Sequence, residues 1–214
     1  MEREIIPTKR DEASRETREG IIKAAGEMLD KYTYSFLTVR NICEAAGVST
    51  GTFYHHFKGK DMLMATYLDE AFDPASVDGS LPDNGDVKAE ILAIYEVYLG
   101  YCLKLGIEFL SSYYTPQNKV INTRNNYHSA HPIQNKTAQL VLKHAQRGIN
   151  NGYIKSGIDA ETIMNDICVI AKGVIFEWCL NGGENDIIPY MKKLLGIYMD
   201  SVVSEGYRAR FLTA

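Results

Sequence analysis

TVRNICEAAGVSTGTFYHHFKGKDML, residues 38 to 63, carries two short helical patterns separated by a single glycine. Thr38 can cap the first, with Val39, Ile42, Ala45 and Ala46 as its buried positions. Gly47 then supplies the left-handed residue that ends a helix and turns the chain. Ser49 can cap the second, and Phe53 and Phe57, four residues apart, mark its inner face. A further helix is expected to start after Gly59 and run from Lys60 to about Phe72. Two short helices joined by a tight turn make a helix-turn-helix, whose second helix can enter the major groove of DNA.

The residues left facing outward suit that use. Ser49, Thr50, Thr52, Tyr54 and His55 offer hydroxyl and imidazole groups that reach phosphates or base edges. Gly51, with no side chain, allows a close approach of backbone to bases. Lys60, at a helix start, combines its charge with the helix N-terminus to favour a phosphate. Thr38 and Arg40, at the start of the first helix, complete the candidate set, while His56 is read as structural.

Upstream, Ile21, Ile22, Ala25, Met28, Leu29 and Tyr32 form one stripe of an amphipathic helix. Downstream, residues 73–86 are rich in Pro, Gly, Asp and Ser and form the clearest boundary in the chain. Beyond it the helices lengthen. One carries the stripes Ile91, Tyr95, Tyr98, Cys102 and Leu92, Leu99, Leu103, so it belongs in the middle of a bundle. Residues 106–114 could continue it or form a separate helix, and 115–130 read as a loop. Pro132 suits the first turn of the next helix, with Ile133, Thr137, Leu140, Val141, His144 and Ala145 inward and Gly152 as its stop. Asp159 caps another that ends at Gly182-Gly183, and the last is expected from about Asn185 to Glu205. No strand pattern or internal repeat is visible, so the fold class is all-α.

Composition narrows the function. Of the 214 residues, 45% are apolar and 23% charged, as in a packed globular protein rather than a disordered one. The net charge of −4 argues against a sequence-blind nucleic-acid coat, and residues 1–60 are near neutral while the rest is acidic. The polar N-terminus lacks the apolar core of a cleavable signal, and no apolar run is long enough for a membrane span, so a cytoplasmic protein without a membrane partner is expected. Cys43, Cys102, Cys168 and Cys179 are scattered, without metal-ligand or redox spacing. His128 and His131 stand three apart in an Asn-rich segment with no Cys or carboxylate neighbour, so no metal is assigned there. Nucleophile-elbow, P-loop, zinc-protease and dinucleotide motifs are all missing, so neither an enzyme nor a cofactor is expected.

The N-terminal quarter resembles the TetR/AcrR family of bacterial transcriptional regulators. The family pattern T-R-x-x-I-x-x-A-A falls on Thr17, Arg18, Ile21 or Ile22, Ala24 and Ala25. Its second part falls on Thr38, Val39, Ile42, Ala46, Gly47, Val48, Ser49, Gly51, Thr52, Tyr54, His56, Phe57, Lys60 and Leu63. Two positions depart from it. Thr33 stands where a glycine usually ends the first helix, and Gly59 replaces a Ser-like cap. The resemblance implies a DNA-binding domain over residues 1–75, with the helix-turn-helix at about 38–57, and an effector-binding and dimerisation domain over 76–214. It also implies a homodimer on double-stranded, palindromic operator DNA, released by a small-molecule effector. A helical dimer that binds small molecules without DNA, or an activator or partner-gated regulator, is the alternative.

Aromatic residues then become candidates for the effector pocket: Tyr95, Tyr98, Phe109, Tyr113, Tyr127 and Trp178, with Tyr101, Tyr114 and Phe176 nearby in sequence. For any one of them, ordinary core packing is the competing reading. The dimer interface is expected on the last two long helices, through Ile167, Ile170, Val174, Trp178, Met191, Leu194, Tyr198 and Val202.

Overall fold

The computed structural model describes residues 8–72, 75–78, 81–82, 84–121 and 136–212. Among these the protein is all-helical, with one isolated antiparallel bridge, Ile154 to Val203. It divides into two compact units, residues 1–67 and 68–214, and the division falls inside a helix rather than in the Pro/Gly-rich 73–86 segment.

In the first unit, α1 spans Lys9–Leu29. It begins at a reciprocal cap: the Thr8 hydroxyl accepts from the Asp11 N–H while the Asp11 carboxylate accepts from Thr8. Ile21, Ile22, Ala25 and Met28 are buried as their spacing requires. Tyr32, placed on the same stripe, is not: the helix ends three residues earlier and the ring is 51% exposed. The chain leaves α1 through Asp30 in right-handed conformation, and Thr33 is extended, with φ −67° and ψ 154°. A β-branched residue at 33 thus avoids the left-handed conformation that a glycine would accept there. A 3-10 turn, Tyr34–Phe36, leads to α2 (Val39–Ala46), α3 (Thr50–His56) and α4 (Lys60–Ala71).

Gly47 joins α2 to α3 at φ 66° and ψ 29°, and its N–H and that of Val48 satisfy the carbonyls of Glu44 and Cys43. Because the conformation is left-handed, Gly47→Val is expected to cost about 1–2 kcal/mol of head stability. A lowered urea midpoint with unchanged slope checks this; an unchanged midpoint refutes it.

The second unit contains the one-turn α5 (Ala75–Asp78), then α6 (Val87–Lys104), α7 (Gly106–Tyr113), α8 (Lys136–Asn150), α9 (Ala160–Leu180), α10 (Ile187–Val202) and α11 (Glu205–Phe211). Gly106, at φ 77°, makes α7 a separate helix. α6 packs on both α8 and α10, so it is central, as its two apolar stripes require. The inner positions Thr137, Leu140, Val141, His144 and Ala145 of α8 are all buried. Pro132 and Ile133, and the loop expected from 122 onward, lie outside the described residues.

The expected final helix to Glu205 is two helices. α10 ends at Val202, where Val203 turns extended and pairs with Ile154, and Ser204 caps α11. Here the Ser204 N–H donates to the Tyr153 carbonyl, and the Tyr207 hydroxyl donates to Asp86 at 2.6 Å. Asp86 also accepts from the Ala89 N–H as the N-cap of α6, so the last helix is clasped to the first turn of the central one.

Candidate nucleic-acid interface

Two caps and two phenylalanines set the geometry of α2 and α3. Thr38 accepts from the Asn41 N–H at 3.2 Å, and Ser49 accepts from the Thr52 N–H at 3.0 Å while meeting the Thr52 hydroxyl at 2.9 Å. These two hydroxyls therefore hold helix starts. Ile42 and Cys43 bury the inner face of α2, whereas Ala45, expected to be buried, is exposed: a 100° step per residue carries it past the narrow face of an eight-residue helix. Phe53 and Phe57 are fully enclosed and fix the rotation of α3.

That rotation turns Thr50, Gly51, Tyr54 and His55 outward, with Thr52 and His56 half-buried. Only the Ser49 hydroxyl, at an ordinary 3.6 Å, would meet a Cβ at position 51. Internal packing does not require glycine there. Tyr54 rests edge-on against Phe53 at 5.5 Å, so its phenol is held outward from an anchored ring. Arg40 is exposed in the first turn of α2. Lys60 is half-buried, its ammonium 3.9 Å above the Tyr34 ring, and burial lowers its pKa while Asp61 opposes that. His56 is held below its ordinary value by burial, by His55 beside it and by Arg18, which also lies over the Phe57 ring.

In the second unit, Tyr95 and Tyr98 come together with Tyr114, Cys102 and Cys168. The Tyr98 and Tyr114 hydroxyls meet at 2.8 Å, and the Tyr95 hydroxyl meets the Cys168 sulfur at 3.4 Å. Burial pushes all three phenols well above their ordinary pKa and the Cys102 thiol up to about 12, so the cluster is neutral. Phe109 and Tyr113 stack beside it, with Tyr113 edge-on to Tyr114. Nothing in the sequence spacing marks Cys102, one turn after Tyr98, or Cys168 as partners of these phenols. Tyr127 lies outside the described residues, as do His128 and His131. Trp178 does not join the cluster: it lies ten residues beyond Cys168, about 15 Å along α9, and its indole N–H donates to the Asn185 carbonyl. A surface pocket lined by Gln139, Lys143, Gln146, Asp159 and Glu161 contains none of these aromatics.

The residues expected at a dimer interface are largely used within the chain. Ile167, Val174, Met191 and Val202 are buried, and Tyr198 donates to Asp166 at 2.9 Å. Ile170, Trp178 and Leu194 are half-buried. Sequence shows that α9 and α10 are apolar on two faces, but not which face the chain keeps for itself. The surface instead presents Val169, Phe176 and Leu180 of α9, 42–65% exposed, and Tyr190 and Ile197 of α10, 49% and 58% exposed. With Gly173 and Leu194 these fall at i, i+4, i+7 spacings, one stripe per helix.

No helix among the described residues is long and apolar enough to cross a membrane. The arrangement defines a protein with a helix-turn-helix head and a separate all-helical second unit. Residues 21–66 match the family model for bacterial regulatory proteins of the tetR family. The HTH-type transcriptional repressor KstR2 of Rhodococcus jostii (strain RHA1) is 27% identical over 175 residues, 78% of this chain and 81% of that one. A crystal structure described as a TetR-family transcriptional regulator from Rhodococcus sp. superposes with a TM-score of 0.57 at 16% identity, over 88% of this chain and all of that one. A second, from Shewanella sp. PV-4, gives 0.53 at 16% identity, over 88% and 99% of the two chains. The head thus resembles that of the tetR family, and the chain as a whole is similar in fold to TetR-family transcriptional regulators.

Proposed function

We propose that the protein is a ligand-released repressor that binds a palindromic operator as a homodimer. The observation that carries this reading is the face of α3: Thr50, Gly51, Tyr54 and His55 point outward from a helix locked by two enclosed phenylalanines. Thr50 and Tyr54 read the groove, and Arg40 and Lys60 meet the flanking phosphates, with Thr38, Ser49 and Thr52 holding the helix starts that aim them. Two symmetry-related copies joined through the Val169–Leu180 and Tyr190–Ile197 stripes place two such heads on a two-fold site. The repressor assignment draws support from the KstR2 relative.

The neutral tyrosine–cysteine cluster is the proposed effector site, and its hydroxyls can exchange their mutual hydrogen bonds for bonds to a ligand. By linkage, an effector that releases DNA binds the free protein more tightly, and DNA weakens effector binding by the same factor. Equal affinity of a releasing molecule for free and DNA-bound protein in calorimetry contradicts this mechanism.

Selection of binders from a random duplex pool at near-physiological salt tests the function. A palindromic consensus with half-sites about one helical turn or more apart is expected. No enrichment refutes sequence-specific binding by the unaided protein. On the selected duplex, Lys60→Ala is expected to weaken all sequences alike and reduce the salt slope by about one phosphate contact. Thr50→Ala is expected to change preference at one base pair by about 1 kcal/mol or more. Equal effects of both on every sequence mean that α3 does not present the reading face.

A further inference from the structure

The connection between α1 and α2 alternates its aromatic residues. Tyr34 is enclosed beneath the Lys60 ammonium, while Tyr32 and Phe36 on either side of it face solvent, 51% and 45% exposed. Their rings are stacked, with centroids 4.5 Å apart and planes 29° apart. The pair is tied to the start of α2. The Phe36 carbonyl accepts from the Thr38 N–H at 2.9 Å and from the Asn41 side-chain amide at 2.8 Å, and the Phe36 N–H donates to the Thr33 carbonyl at 3.0 Å. Exposed rings held this way have already lost most of the freedom that contact with a partner would cost them.

We propose that the Tyr32–Phe36 pair is a docking surface for the deoxyribose face of the operator backbone just outside the bases read by α3. This rests on the DNA-binding reading above. In a helix-turn-helix the first helix crosses the backbone, so the residues leading into α2 lie beside the phosphodiester chain. The partner must be both apolar and anionic, because the pair lies close in sequence to Lys31 and the exposed Arg40, and the Tyr34 ring between the two carries Lys60. Over residues 30–61 the four cations Lys31, Arg40, Lys58 and Lys60 outnumber the three acids Asp30, Glu44 and Asp61. A sugar-phosphate strand has that character: the C–H faces of its sugars lie against the rings and its phosphates meet the cations. A purely apolar protein partner would leave those cations without a counter-charge.

The test uses the full chain on the duplex selected above. Hydroxyl-radical cleavage, which attacks deoxyribose C–H bonds, is expected to show sugars protected just outside each half-site with the wild-type protein. That protection is expected to be lost with Phe36→Ser or Tyr32→Ser, while the half-site itself stays covered. Affinity is expected to fall roughly five- to tenfold, as for loss of one aromatic stacking contact, with the salt slope unchanged because no phosphate contact is lost. Unaltered protection with both variants overturns the proposal. So does a loss confined to cooperativity between adjacent bound dimers, which would make the pair a protein–protein contact. Phe36→Tyr, expected to keep the flanking protection, controls for the folding of the head. Failure of DNA binding itself is distinguishable, since no duplex would then be enriched and the wild-type protein would protect no sugar.

Discussion

A chain carrying Phe176→Glu and Ile197→Glu is expected to sediment as a monomer at concentrations where the wild-type chain forms the proposed dimer, and to lose operator affinity by roughly 100-fold or more. Both side chains are exposed, at 42% and 58%, so the fold of a single chain does not depend on burying them. In a two-fold interface each substitution occurs twice, and four carboxylates would be brought into an apolar contact without partners, at several kcal/mol for each charge left unpaired. Operator affinity falls further than the change at any one site suggests. When one head is bound, the second is held near its half-site at high effective concentration, and a monomer loses that advantage entirely. Velocity sedimentation and an operator titration read the two effects separately. A double variant that remains dimeric places the interface elsewhere. The same substitutions at buried Ile167 and Met191 would damage the protomer itself and could not distinguish the two outcomes.

The second large effect lies in the core of the effector-domain candidate. Glu90 of α6 is buried, its side chain 3% exposed, and one of its carboxylate oxygens receives both the His144 ring at 2.9 Å and the Arg147 guanidinium of α8. Glu90→Gln is expected to destabilise the protein by about 1–3 kcal/mol, because the Arg147 guanidinium loses its counter-charge, a cost that its 46% exposure to water reduces. Burial pushes the Glu90 carboxyl up, but the hydrogen bonds and charges of His144 and Arg147 prevail and hold it below its ordinary 4.5. Its folded value thus lies below its unfolded one. The stabilisation is complete above about pH 4.5 and disappears as pH falls through the folded value. Urea unfolding at stepped pH is therefore expected to show a shallower acid decline for Glu90→Gln than for wild type. Replacing all three residues together with Leu, Leu and Met is expected to cost less than Glu90→Gln alone. If the triple variant is the weaker one, the ion group contributes net stability beyond mutual compensation.

Periodicity and caps make most of the described helices legible in the sequence. Thr38, Ser49 and Asp159 start helices where they stand in the sequence, and Gly47 turns the chain as an αL residue must. What periodicity cannot supply is the identity of a helix's neighbour. Glu90 reads as an ordinary polar position until α8 brings His144 against it, although a histidine on an inner face already required some partner. Met191 and Ile197 read alike as members of an apolar helix, and only packing separates the one the chain buries from the one it leaves exposed. Tyr32 departs from the stripe for a local reason: α1 stops at Leu29, and the apolar face ends with it. The break at Val203 carried no Gly or Pro signal. It follows from the pairing with Ile154, a residue 49 positions earlier, and no window along the chain contains both.

The clasp between Tyr207 and Asp86 has a consequence for the order in which the molecule is made. The two residues are 121 positions apart, and Asp86 begins the helix around which α8 and α10 are arranged. During synthesis α6 leaves the ribosome long before the residue that secures its first turn exists, so a growing chain holds its central helix only partly covered. Completion of the second unit must wait for the final stretch of translation. The head, a compact unit of the first 67 residues, can form well before that. A nascent chain that meets DNA early would do so with one finished head and no means of pairing.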